Sequence, residues 1–260
     1  MSINYKNSLV CFIDLLGFKD EINSRKSQLE IFDILSAGKK NERSVSSTVV
    51  KKTGQEIRFQ VLTAVSAFSD RVVISFSSDY FDSSISSDWI KSAFIKFWNL
   101  IYQYSMYVMR RGFILRGGIA IGNLYHSNGI VFGPAMNCAY ELESKRAKNP
   151  RILVNEKLAQ VLNDDTKQRY LSKDLSDGFF YVDFLKHLVD ENINPATNDY
   201  CSNSELIAKL ITKNILFFSQ KIEDENKLKK WKWFSNYYHD SCVNAGFDCR
   251  CELMSGKYDI

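Results

Sequence analysis

Two aspartates stand where the pattern makes an acid costly. Asp14 ends or nearly ends the apolar run Ser8–Leu16 (SLVCFIDLL), and Asp70 sits with Ser69 between the apolar runs Ile57–Phe68 and Val72–Phe76. A buried, unpaired carboxylate is expensive, so acids in such strands are compensated by a partner or a metal. If the first strand lies beside the Ser69-Asp70 hairpin, both carboxylates project toward one spot. Two acids there repel, and a hard divalent cation, Mg²⁺ or Mn²⁺, is a natural remedy. The other reading makes Asp14 a helix cap and Asp70 a turn acid. After Asp14, Gly17-Phe18 leads into a helix N-terminus, whose free N–H groups suit phosphate oxygens. The plainer account of Gly17 is a tight turn.

The elements that must position these residues follow from periodicity. Ser8–Leu16 reads as a buried strand, and residues 18 to about 37 as a helix carrying Ile22, Leu29, Ile31, Phe32 and Leu35, with Gly38 as its stop. Residues 39–55 are polar and basic, a loop or a ragged hairpin arm. Ile57–Phe68 and Val72–Phe76 are strands joined at Ser69-Asp70. Residues 88–111 form an amphipathic helix with Phe94, Phe97 and Trp98 at helical spacing. A glycine-punctuated strand, residues 113–122, precedes a turn at residues 127–129 and a short strand, 130–132. Pro134 opens a helix to about residue 148, and 151–154 is a strand. This order resembles a duplicated βαβ, which predicts an α+β, ferredoxin-like core with helices on one face of a sheet.

Beyond residue 155 the pattern loosens. Residues 155–162 read as a short helix, 179–185 as a strand, 190–203 as a loop, and 203–221 and 227–245 as helices. The expected organisation is a core over residues 1–154 and an extension over 155–260 packed on the same domain. Lys227–Phe234 (KLKKWKWF) mixes basic and aromatic residues, read as a helix turning its aromatics inward rather than as a nucleic-acid or membrane contact.

Composition narrows the function classes. The chain has 260 residues, 34 Lys and Arg against 30 Asp and Glu, 45% apolar and 25% charged residues, ordinary globular proportions. The near balance of charge, net +4, is no nucleic-acid signature, although it can help attract a polyphosphate. No stretch approaches the roughly 20 apolar residues that span a bilayer, and no signal peptide opens the chain. Six scattered cysteines fit a reduced, cytoplasmic protein. Cys249 and Cys251 form a lone C-x-C with no second pair to complete a zinc site.

Four segments in order, FIDLLGF, AFSDRVVIS, LRGGIAIGNLY and GIVFGPAMNCAYELES, resemble class III nucleotidyl cyclases over roughly residues 8–154. The resemblance implies cyclisation of a nucleoside triphosphate to a 3′,5′-cyclic monophosphate with loss of pyrophosphate. Asp14 and Asp70, with the backbone carbonyl of Leu15, would hold two metal ions, Mn²⁺ or Mg²⁺. Gly17 and Phe18 would meet the phosphates, and Asn137 on the catalytic helix would hold the ribose. The family's helix carries Asn-x-x-x-Arg, and here Glu141 stands in place of the Arg. Lys145, one turn on and on the same helix face, or Arg146 is then the replacement cation, with Glu141 orienting Lys145. Arg116 on the neighbouring strand is another phosphate contact. The alternative for Lys145 and Arg146 is a solvated helix end.

The same segments more closely resemble the bacterial pyrimidine cyclases of Pycsar antiphage systems, compact stand-alone domains. The resemblance implies CTP or UTP as substrate, cyclic CMP or cyclic UMP as product, and a separate cyclic-nucleotide-binding effector as reader. Purine-specific members carry a Lys or Glu at the position of Ser66 and an Asp or Cys at that of Ile130. Neither purine edge finds that partner here, and losing such partners discriminates strongly. Class III sites are built between two chains, so the resemblance also implies a homodimer with two shared sites. Two other readings stay open: a degenerate cyclase-like domain that binds a nucleotide or a protein without turnover, and a purine cyclase.

Overall fold

The computed structural model describes residues 4–19, 22, 28–50, 56–78, 87–189, 213 and 224–244. The chain divides into two compact units, residues 1–107 with 115–182 and residues 108–114 with 183–260.

In the first unit β1 (Lys6–Leu16) is buried along nearly its whole length, as its unbroken apolar run requires of a central strand. Residues 18, 19 and 22 are helical, and α1 (Gln28–Ser36) follows. A 3₁₀ turn (Ala37–Asn41) leads to β2 (Arg43–Val50), β3 (Glu56–Phe68) and β4 (Arg71–Ser78). Then come α2 (Ser87–Met109), β5 (Ile114–Ser127), β6 (Ile130–Phe132) and α3 (Pro134–Glu141). One π turn (Leu142–Arg146) prolongs α3 before β7 (Ile152–Val154). Two short helices, α4 (Glu156–Val161) and α5 (Asp164–Tyr170), precede β8 (Leu171–Lys173) and β9 (Phe180–Val182).

The strands lie in the order β2-β3-β4-β1-β5-β7-β9-β8, with β6 paired to β5 alone. Within it, β3-β4-β1-β5 is the strand order of a βαββαβ unit, so the expected ferredoxin-like α+β core is present. The sheet is mostly antiparallel, with β5 and β7 parallel. Helices cover both faces rather than one. Phe97 of α2 packs on Phe76, while Ala135 and Ala139 of α3 pack on Val10, Phe12 and Val73, which the strand alternation points the other way.

Several sequence expectations shift in detail. The first helix spares its expected stripe: Leu29 is 77% and Phe32 67% exposed, and Ile34 is the buried residue, with the Tyr104 hydroxyl donating to its carbonyl. Gly38 is no helix cap. It sits in the 3₁₀ turn, where a Cβ would come within 2.9 Å of Val65. Residues 39–55 contain β2, the hairpin arm. The expected strand at 179–185 is short and turns at Asp183 into a helix. Neither α5 nor β8 was anticipated, although the Asn163 side chain accepts from Thr166 N–H and two acids follow it, a helix-start signal.

In the second unit, α6 (Phe184–Val189) and α7 (Glu225–Asn244) meet through Tyr237. Its hydroxyl donates to Asp183 Oδ1 at 2.7 Å and accepts from Leu185 N–H, and its ring meets Phe184 edge-on. Trp231, Phe234, Tyr237 and Tyr238 of α7 are buried, the inward aromatic stripe expected of KLKKWKWF. The expected loop at 190–203, nearly all of the helix at 203–221, and the Cys249-x-Cys251 motif lie outside the described residues. No helix among the described residues is long and apolar enough to cross a membrane.

Candidate active site

β1 and β4 pair antiparallel with Asp14 opposite Arg71, and β3 pairs β4 with Phe68 opposite Arg71. The β3–β4 connection is therefore the two residues Ser69-Asp70, with Ser69 at φ 55°. Leu15 N–H donates to the Asp70 carbonyl at 2.8 Å, which ties the hairpin tip to the end of β1. So the first strand does lie beside the hairpin. The two acids are close enough that the Asp70 charge raises the proton affinity of Asp14. Leu15 and Phe18 are buried, and Gly17 takes φ 87°, a turn that a side chain would strain.

Arg116 projects from β5 on the same face. Its Nη2 donates to Asp14 Oδ2 at 2.8 Å and lies 2.6 Å from Glu143 Oε1. The second contact is ionic and not an aligned hydrogen bond, since Glu143 Oε1 accepts from no group. Asp14 is 7% and Glu143 2% exposed. Burial pushes both carboxyls above their ordinary values, and Arg116 opposes it in both cases. Arg71, whose guanidinium lies over the Phe12 ring, adds a weaker opposing charge.

Glu143 is the site residue that sequence reasoning missed. Two features bring it inward. Gly118 lets α3 approach β5 so closely that a Cβ would come within 2.3 Å of the Ala139 carbonyl. The π turn, with Ala147 N–H bonded to the Leu142 carbonyl, then shifts the helix register at Glu143. The available signal was an acid at i+8 on the apolar stripe Ala135, Ala139, Leu142.

Asn137 and Lys145 are not brought to this spot within the chain. Asn137 is exposed on the side of α3 away from Ala135 and Ala139, and Lys145 is exposed and donates to Glu141 Oε1 at 2.8 Å. The expected pairing of Glu141 with Lys145 is thus present, and it holds the Glu141 carboxyl below its ordinary value.

A cavity of about 570 Å³ runs along β3, lined among others by Lys39, Glu42, Ser66, Phe68 and His126. Ser66 Oγ lies 2.9 Å from His126 Nε2, and Ser75 Oγ lies 2.8 Å from Nδ1. Ile130 is exposed on β6. Near the acids, Phe68 and Tyr140 are exposed aromatics whose rings meet Phe12, two residues before Asp14.

Among the described residues, no three His, Cys, Asp or Glu side chains gather as a closed metal cage. The site offers an acid pair at a strand end. Mg²⁺ is commonly held that way, by one or two carboxylates with substrate phosphates and water completing its shell. Two buried carboxylates sharing one guanidinium, with Asp70 adding to the negative field, leave surplus charge that a dication would neutralise. The residues fit such an ion.

Fold and site together define a ferredoxin-like α+β domain with a paired-acid site at the β1 end and the β3–β4 tip. Among solved structures, the chain is similar to an adenylate/guanylate cyclase/hydrolase from Silicibacter pomeroyi, at TM-score 0.35 and 15% identity, covering 68% of this chain and 95% of that one. That similarity is too distant to bring the neighbour's chemistry to this chain. No protein-family model and no curated protein matches it.

Proposed function

We propose that the chain is a metal-dependent pyrimidine nucleotide cyclase, converting CTP or UTP to 3′,5′-cyclic CMP or cyclic UMP and pyrophosphate. The supporting observation is the meeting of Asp14 and Asp70, residues 56 positions apart in sequence, where Leu15 N–H bonds the Asp70 carbonyl. Asp14, Asp70 and the Leu15 carbonyl would hold Mn²⁺ or Mg²⁺, two ions in all. Bound there, the ions would supply Lewis-acid stabilisation of a 3′-alkoxide and of the triphosphate charge.

In the reaction the 3′-oxygen attacks the α-phosphorus in line. The new P–O bond forms as the bond to the β-phosphate bridge breaks. Pyrophosphate leaves with the electron pair, and the 3′-hydroxyl proton passes to solvent. The Gly17-Phe18 turn presents backbone N–H groups to the phosphates. Arg116 adds a fixed cation at the acid pair. Asn137 and Lys145 face outward from their own chain, so in this reading they steady ribose and phosphate in the site of a second copy. A homodimer then has two equivalent shared sites. Exposed Phe68 and Tyr140 beside the acids suit such an apolar contact. Ser66 and Ile130, in place of purine-reading side chains, favour a pyrimidine. The product would act through a separate cyclic-nucleotide-binding effector in antiphage defence.

Incubating the purified protein with Mn²⁺ and each of ATP, GTP, CTP and UTP, with products identified by mass spectrometry, tests this reading. Cyclic CMP or cyclic UMP is expected. A cyclic purine would overturn the pocket assignment and keep the metal site. A second reading, a domain that binds nucleotide without turnover, is favoured by Glu141 at the transition-state cation's position. It predicts nucleotide binding with no cyclic product from any of the four.

A further inference from the structure

We infer that Glu143 is a positioning residue that keeps Arg116 paired when a divalent cation takes the Asp14 carboxylate. The inference rests on the metal reading above and goes beyond it. Arg116 Nη2 lies between two carboxylates, 2.8 Å from Asp14 and 2.6 Å from Glu143. A guanidinium already seated on Asp14 competes with any dication for the same oxygen. Were Asp14 its sole counter-ion, the dication would have to displace a buried charge into an environment without compensation, which is costly. Glu143 removes that penalty. It is 2% exposed, it has no competing partner at Oε1, and it faces the same guanidinium nitrogen.

A metal ion arriving at Asp14 therefore leaves Arg116 paired with Glu143 and not stranded. Arg116 stays beside the ion, oriented for a phosphate oxygen. The π turn has a purpose in this account, because it seats Glu143 on the Arg116 side of the helix. Glu143 is not itself a ligand, in keeping with the lack of a three-acid cage among the described residues.

The test is a double-mutant cycle on Mn²⁺ affinity, measured on nucleotide-free protein by calorimetry or by the electron paramagnetic resonance of free Mn²⁺. Glu143→Gln should weaken Mn²⁺ binding about tenfold, because Arg116 then has only Asp14 to pair with. Arg116→Ala should tighten binding by removing the competitor. In the Arg116→Ala background, Glu143→Gln should cost less than about threefold, the residue of its direct field. Equal losses in both backgrounds would make Glu143 a ligand or a simple field and overturn the inference. No loss in either background, with a lowered Tm, would make it merely structural and also overturn it. If wild-type protein binds no Mn²⁺, the metal reading itself fails, and that outcome is distinct from the other two. Glu143→Asp, which retracts the charge by one methylene, carries the same comparison should the glutamine variant not fold.

Discussion

Lowering the pH from 7 to 4 should destabilise the fold by about 3 kcal/mol through a single ring, that of His126. The imidazole is 6% exposed, and burial lowers its pKa from 6.5 to about 4, against a smaller opposing pull from the Glu42 carboxylate. Its two nitrogens lie within hydrogen-bond reach of Ser66 Oγ and Ser75 Oγ. In the neutral ring one nitrogen donates and the other accepts, and two serine hydroxyls can serve either arrangement. As pH falls below 6.5 the unfolded chain takes up a proton that the folded ring refuses until about pH 4. Stability is therefore lost across that window and levels off below it. Asp14 and Glu143, whose carboxyls are raised by burial, act in the opposite sense, since the folded state gains from their protonation in acid. The comparison that isolates the ring is wild type against His126→Gln, by urea denaturation at half-unit steps from pH 4 to pH 7. Gln offers a donor and an acceptor to the same serines but does not titrate, so the acid contributions cancel in the difference. The wild-type penalty should grow by about 3 kcal/mol relative to the variant as pH falls. Parallel stability curves for the two proteins would refute the argument, as would a ring proton that titrates near 6.5 by NMR.

Three further outcomes follow from the site and its supports. Asp14→Asn should remove Mn²⁺ binding and turnover while leaving Tm unchanged or higher, because burial already disfavours the charged carboxyl; a Tm loss of ten degrees would show that the charge holds the fold. Gly118→Ala should lower both Tm and activity, since its Cβ would stand 2.3 Å from the Ala139 carbonyl and push α3, with Glu143, off the sheet; unchanged thermal melting would show that the helix shifts freely. Arg151, 1% exposed and paired to Asp174 and Asp177, should cost about 3 kcal/mol on replacement by Met in denaturant titration, with no change in Mn²⁺ affinity.

The acid pair was legible in the sequence because strand rules fix it. An apolar run delivers Asp14, and a two-residue junction between alternating strands makes Asp70 a hairpin tip. Once β1 lies beside β4, no freedom remains in where those residues meet. Of the later strands, the expected ones at 151–154 and 179–185 are present as β7 and β9, each three residues long. β8 was not legible for a physical reason: its three residues, Leu171–Lys173, are too few for alternation to register, and pairing to β9 holds them. The first helix misled because apolar residues at helical spacing mark a candidate face, not a buried one. Leu29 and Phe32 satisfy the spacing and remain exposed, while Ile34, off the expected stripe, is buried beneath the Tyr104 hydroxyl.

Glu143 was hidden by the opposite circumstance. It occupies a core position of an apolar stripe, where an acid breaks the pattern, and only the cation across the gap accounts for it. Arg116 gives no sign in the sequence that it faces two acids, because its partners lie 102 residues upstream and 27 downstream. Local rules fail where a chain holds charges for a purpose other than folding. Here three acids, Asp14, Asp70 and Glu143, surround two arginines, Arg71 and Arg116, on one face of the sheet. Burial raises two of the acids toward protonation, so the arrangement costs stability in the absence of a further cation. A fold selected for stability alone would have placed apolar residues at 14 and 143 and left β5 without its arginine. The surplus negative charge at the end of β1 is the physical ground for expecting a cation there, and it holds independently of what substrate the site takes.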